Sequence, residues 1–196
     1  MSTSKRVPHD TPIECTSAAA WERWLKRHHA TAAGVWIRMA KKASGIASID
    51  HPGALEVALC HGWIDGQRKG DGEQHFLQRF TPRTPRSTWS KINRDKALKL
   101  IDEGRMQPAG LAEVERARAD GRWDAAYDAQ SIATVPPDLQ AALDANPKAA
   151  AFFATLDSRN RYAVLFRTQG AKKPGTRARR IAQFVEMLAK GEKIHP

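Results

Sequence analysis

This chain of 196 residues reads as α+β, a body with a small antiparallel sheet followed by a mostly helical C-terminal part. Three observations predict it. Runs rich in β-branched and aromatic residues, bounded by Gly, are confined to the first half. From Ser87 onward apolar residues recur at helical spacing, in segments opened by a Pro or a hydroxyl residue. Between the parts, Ala129 to Pro137, with Val135-Pro136-Pro137, reads as a linker, which divides the chain into 1–130 and 131–196.

The elements follow in order. Ser17 caps a helix through His28 whose Ala20, Trp21, Trp24 and Leu25 share one face. Gly34 to Met39 is a strand. Asp50 caps a short helix to His61 that is apolar nearly all round and therefore central. Trp63–Gln67 and His75–Thr81 are two strands, with Lys69-Gly70-Asp71-Gly72 as the turn between them. Ser87 caps a helix ending near Gly104, a good residue for the position after a helix. Five more helices follow at Pro108–Asp120, Pro137–Ala145, Pro147–Leu156, Ser158–Gln169 and Thr176–Lys190.

Composition bounds the function. The two cysteines, Cys15 and Cys60, match no zinc spacing, and the polar N-terminal stretch MSTSKRVPHDTPIECTS lacks the apolar region of an export signal. No run is long enough for a membrane span, so a cytoplasmic location is expected, with no metal and no cofactor. The net charge of +11 favours anionic partners: an anionic small molecule, an acidic protein surface, or nucleic acid bound weakly and non-specifically at low salt. Eight of the basic residues lie between Ser158 and Val185, where there is no acid.

Residues 58–93 hold the densest chemistry, and the candidate ligand-binding residues come mostly from here: Trp63, Asp65, Arg79, Arg83, Arg86, Ser87, Trp89 and Asn93. Asp65 has three readings: a general acid or base, an ion-pair partner of Arg79 or Arg83, or a turn residue, with the ion pair favoured. Arg83 and Arg86, held by prolines beside the start of the Ser87 helix, form a phosphate or carboxylate cradle, pair with the protein's own acids, or only solubilise the surface. On that helix the wheel places Trp89, Ile92, Asn93, Lys96 and Leu100 on one side and Lys91 opposite. Asn93 should then bond the backbone of the Pro82-Arg83 turn or a ligand. Adjacent Cys60 and His61 point about 100° apart on a helix, so Cys60 reads as a buried thiol rather than a nucleophile. Trp36, Trp63 and Trp89 read as core. In the last helix Arg177 shares the face of Ile181, Phe184 and Leu188 while Arg179 points away, so Arg177 is the ninth candidate, paired with an internal acid such as Asp65 or Asp138, or with a ligand.

Several of these words, in this order, resemble the bacterial YdeI/OmpD-associated proteins, also named for bacteriocin protection. They are Gly62-Trp63-Ile64-Asp65-Gly66, Phe80-Thr81-Pro82-Arg83, Trp89-Ser90 with Asn93, Gly104-Arg105-Met106, Gly121-Arg122-Trp123 and, near the end, Val135-Pro136, Asn146-Pro147, Ala171-Lys172 and Thr176-Arg177. His61 stands where that pattern has an aromatic, and Gly175 where it has an acid. The resemblance implies a part in tolerance of bacteriocins, antimicrobial peptides or envelope stress, and an envelope or porin-linked partner. It implies no catalytic residues. The function expected is non-catalytic binding of an anionic ligand or partner; the alternatives are a nucleic-acid-binding module, and a hydrolase or transferase using Asp65 and Arg83 on a phosphorylated small molecule.

Overall fold

The computed structural model describes residues 7, 11–130 and 132–196; most of the polar N-terminal stretch, and Ser131 of the linker, lie outside the described residues. The chain forms two compact units, Met1–Ala126 and Tyr127–Pro196.

In the first unit, β1 (Ile13–Glu14) leads to α1 (Ala18–His28), capped by the Ser17 side chain accepting from the Ala20 N–H. Then come β2 (Val35–Ala40), a short 3-10 turn at Lys42–Ser44, α2 (His51–Cys60), β3 (Trp63–Asp71) and β4 (His75–Pro82). The sheet order is β1-β2-β4-β3. The sheet is mixed rather than purely antiparallel, because β1 pairs parallel with β2 through Ile13 and Ile37. Two residues carry no readable alternation, which is why the sequence does not announce β1.

Strand β3 runs past the turn expected at Lys69-Gly70-Asp71: Lys69 pairs with Leu77, Gly70 with Phe76 and Asp71 with His75. The reversal falls at 72–74, where Gly72 supplies the positive φ of 73°. A bulge between Asp65 and Arg68 absorbs the extra length. Gln78, almost wholly buried, donates to the carbonyls of Gly66 and Gln67 that the bulge leaves over.

Helix α2 is buried on two sides, as a helix apolar nearly all round requires, Glu56 being its one acid. Ala54, Val57 and Ala58 join Trp21, Leu25, Val35, Ile37, Met39, Trp63 and Phe80 in one core. Leu55, Leu59 and Cys60 join a second with Trp89, Ala97, Leu100, Val114 and Trp123. Two buried indoles bond their N–H groups, Trp21 donating to Ala54 O at 3.1 Å and Trp63 to His29 O at 3.2 Å, whereas the Trp89 N–H finds no hydrogen-bond partner among the described residues.

Helix α3 spans Lys91–Asp102 and is capped by Ser90, which accepts from the Asn93 N–H, not by Ser87. Trp89 therefore precedes the helix and the wheel turns: Ala97 and Leu100 are buried while Ile92 is 49% exposed. Gly104 ends it as expected, with φ of 67° and the Gly104 and Arg105 N–H groups closing on Ile101 and Leu100. Helix α4 (Pro108–Ala119) crosses α2 closely at Gly110, where a Cβ would stand 2.3 Å from the Cys60 carbonyl oxygen.

The second unit holds α5 (Pro137–Asp144), α6 (Pro147–Thr155), α7 (Ser158–Gln169) and α8 (Pro174–Ala189) around Leu139, Leu143, Phe153, Val164, Ile181, Phe184 and Leu188. Asn146 caps α6 and Asp157, not Ser158, caps α7. Asn160, 1% exposed, exchanges hydrogen bonds with the His195 backbone and so ties the C-terminal tail to α7. Helix α8 begins two residues earlier than its sequence signal, at Pro174, which moves Arg177, Arg179 and Arg180 out of the first turn and relieves the macrodipole conflict they would otherwise face.

Candidate functional site

The β3–β4 register sets Trp63 opposite Pro82, Ile64 opposite Thr81 and Asp65 opposite Phe80. The two motif words therefore meet, and Trp63 and Arg83 line one small cleft of about 50 Å³ with His29, His61 and Glu113. Gly62 permits it: its φ is 73°, and a Cβ would come 2.8 Å from the Ala109 carbonyl oxygen.

Asp65 is not part of that cleft, and its partner is neither arginine. Its carboxylate meets His51 Nε2 at 3.0 Å, because His51 opens α2 and reaches the strand from there. Arg83 lies past the end of β4, 5% exposed, its guanidinium 3.6 Å from the centre of the Trp89 ring and donating from Nη1 to Thr88 O at 3.1 Å. Trp89 packs edge-on against Trp123 at 4.9 Å, and Arg122 donates to Ser87 O at 2.7 Å. The result is an interlock of loops around an arginine, with the guanidinium turned inward rather than toward an anion at a helix end.

The remaining candidates separate. Arg86 is exposed and Ser87 half-buried, and the Ser87 hydroxyl accepts from the Thr84 N–H at 2.9 Å, closing a turn four residues before α3. The expected cradle at a Ser87-capped helix N-terminus is not formed. Asn93 is half-buried, and among the described residues its side chain does not bond the Pro82-Arg83 turn. Arg79 points to the opposite side of the sheet, beside Trp36.

His61, set aside in the sequence as a base for Cys60 and not among the nine candidates, is the unusual group of this unit. It is 4% exposed, its ring lies 5.5 Å from that of His29, and neither ring nitrogen finds a hydrogen-bond partner among the described residues. Burial, with His29 adding to it, pushes its pKa down and keeps it neutral. Cys60 is buried as expected, and burial raises its thiol pKa; Cys15, also buried, is pushed up to about 11. Neither is a thiolate at neutral pH. Among the described residues no three His, Cys, Asp or Glu side chains cluster as a metal ion would need.

In the second unit α5, α8 and the start of α6 enclose an open groove of about 990 Å³. Ala178, Ile181, Ala182, Val185 and Ala189 of α8 form its floor, with Ala142 and Ala145 of α5 as a wall. Small residues at this spacing leave the helix surface low, so the groove exists because alanines stand where larger side chains would fill it. Charged groups stand at its rim. Arg177 is bidentate with Asp138, Nε to Oδ2 at 2.5 Å and Nη2 to Oδ1 at 2.8 Å, and its Nη1 donates to Thr168 O at 2.8 Å. The guanidinium holds the Asp138 carboxyl below its usual range. Of the two internal acids expected for Arg177, Asp138 is therefore the one found, and Arg179 is exposed as the wheel requires. Glu186 pairs with Lys190 at 2.7 Å, so Lys148 and Lys172 carry the uncompensated charge of the rim among the described residues. The small-residue spacing Ala178, Ala182, Ala189 was the sequence signal for this groove, and it is a weak one.

No helix among the described residues is long and apolar enough to cross a membrane. No curated protein and no solved structure matches the chain. Two family models do: a domain of unknown function, DUF8412, at residues 13–113, and the model described as Bacteriocin-protection, YdeI or OmpD-Associated at residues 133–191. The words Gly62 to Gly66 and Phe80 to Arg83 thus fall under the first model and only the C-terminal words under the second. By these matches the chain belongs to the DUF8412 family, whose model spans residues 13–113, and carries at residues 133–191 a domain of the bacteriocin-protection, YdeI or OmpD-associated kind.

Proposed function

We propose that this protein is a non-catalytic binding protein contributing to bacteriocin or antimicrobial-peptide tolerance, and that the α5–α8 groove receives an acidic, amphipathic helical segment of a protein partner. The observation that carries this reading is the groove itself, an apolar channel with Lys148 and Lys172 uncompensated at its rim. Along α8 it extends from Pro174 to Lys190, roughly 24 Å or about four turns of a helix. Helix-in-groove recognition needs this combination: an apolar floor for residues at i, i+3, i+4 and i+7, and charges at the edge to choose the partner. A net charge of +11 disfavours direct capture of Lys/Arg-rich membrane-active peptides, so the reading routes tolerance through an acidic partner. Two buried free cysteines are compatible with work in a reducing compartment, and we place it in the cytoplasm.

The test is an anisotropy titration with two labelled helical peptides of about four turns that share one apolar face and carry either Glu or Lys on the flanks. The Glu peptide is expected to bind and the Lys peptide not. Ala182 is exposed on the groove floor, so Ala182→Trp should fill the channel without unfolding the unit and abolish binding. In a strain lacking the gene, the same variant should restore no tolerance. Equal binding of both peptides, or full binding by Ala182→Trp, would overturn the reading.

A further inference from the structure

The second face of the sheet carries an arrangement that neither family model nor the groove accounts for. Strand β2 alternates strictly: Val35, Ile37 and Met39 are buried in the core, while Trp36, Arg38 and Ala40 on the other face are half-exposed. Register brings Trp36 beside Arg79 of β4, and Arg38 and Lys69 on either side of Leu77. Lys69 Nζ stands 4.6 Å and the Arg79 guanidinium 5.6 Å from the centre of the Trp36 ring. The sequence shows no interleaving of aromatic and basic residues; the register of three strands creates it. Trp36 is accordingly not a core residue.

Two details distinguish these cations from a solvated surface. The Arg79 guanidinium lies over Gly34, whose φ is 146°; a Cβ there would come 2.9 Å from the Phe80 carbonyl oxygen and 2.8 Å from Nη2, so glycine fits the backbone here and leaves the arginine room across the strand. Arg38 is already neutralised, by Asp71 at 2.6 Å and Glu14 at 3.0 Å, so the acids of this face are occupied. Among the described residues Arg79 and Lys69 meet no acid and no carbonyl, and their donors face solvent. The face thus offers one indole with two cations beside its ring that pair with no acid among the described residues.

We infer that this face binds single-stranded nucleic acid, with a base against Trp36 and the flanking phosphates on Arg79 and Lys69. An anion alone would satisfy the cations and a neutral ring would satisfy the indole; a nucleotide strand supplies both at adjacent positions. Lys69, exposed on a flexible stem, swings aside as a base approaches, while Arg79 stays over Gly34 and presents its fork. Duplex DNA buries its base faces and cannot stack on a sheet. The site lies in the DUF8412 domain and does not depend on the groove reading.

Anisotropy of a labelled oligothymidylate of about ten nucleotides, at about 150 mM salt, tests it on the full chain. Trp36→Ala should weaken binding by about tenfold, as loss of one stacked base does. Arg79→Gln and Lys69→Gln should each weaken it and lower the slope of log affinity against log salt by about 0.7. Arg179→Gln, an exposed charge in the other unit, should leave affinity at this face unchanged, and melting curves check that each variant is folded. Equal affinity of the wild type and Trp36→Ala, a duplex of the same length bound as tightly, or no binding at this salt would overturn the inference.

Discussion

Residues 58–93 and residues 137–190 differ in what their side chains are used for. The first stretch holds Trp63 and Trp89, and its costly side chains are used inside the fold: Arg83 on Trp89, Asp65 on His51, Trp63 on His29 O. The second has no Trp and is rich in Ala, and it leaves a groove of about 990 Å³ open. Rare residues mark where packing is demanding, because a buried guanidinium or indole requires a tailored set of partners. Small residues mark where a surface has been kept low. A ligand needs the second more than the first.

Substitutions in the two regions should separate accordingly. The largest effect belongs to Trp89→Ala, which removes a buried ring and the platform under Arg83: about 3–5 kcal/mol of stability in thermal or urea unfolding. Ala182→Trp in the groove should stay within about 0.5 kcal/mol and lose peptide binding instead. The reverse pattern would exchange the roles of the two regions.

Arg177→Ala should destabilise by about 1–3 kcal/mol, through the lost bidentate pair and the Thr168 carbonyl left without its donor. The side chains of Arg177 and Asp138 are 25% and 46% exposed, so water screens the pair and the loss falls short of that for a fully buried one. Arg179→Ala should change stability by less than about 0.5 kcal/mol. Equal effects would make the Arg177 contact no more than surface charge.

His61 gives a smaller, pH-dependent effect. Its folded-state pKa lies below the ordinary 6.5, so the unfolded chain takes up the proton first as pH falls. Stability should therefore decline from about pH 6.5 downward, until the folded ring also protonates. His61→Phe, which removes two buried nitrogens without partners, should raise stability by about 1 kcal/mol and flatten that decline. A melting profile with the same pH slope in both proteins would assign the slope to other groups. The smallest effect is expected of Asp65→Asn, about 0–1 kcal/mol, since the His51 contact is partly solvated.

Much of this fold is legible in the sequence, for particular reasons. Ser17, Asp50, Gly104 and the prolines at 108, 137 and 147 each have one physical use at a helix end, and the structure places them there. Ser87 misleads because it has a competing use, the turn with Thr84, and Ser90 three residues later takes the cap. The α8 wheel gives the Arg177 and Arg179 sides because a helix repeats over sixteen residues, whereas β1 has two residues and no period. Contacts between separate elements are not written in either partner. That is why Asp65 is read as meeting an arginine and meets His51, and why the Trp36, Lys69 and Arg79 face appears only with the register.

The most direct measurement is amide chemical-shift mapping by NMR of the full chain, titrated with the Glu-flanked peptide. The account predicts perturbations confined to groove residues of α5, α6 and α8, Ala142, Lys148, Ala178, Ala182 and Val185 among them, with residues 58–93 unmoved. Perturbations centred on Trp63, Arg83 and Asn93, with the groove silent, would contradict it.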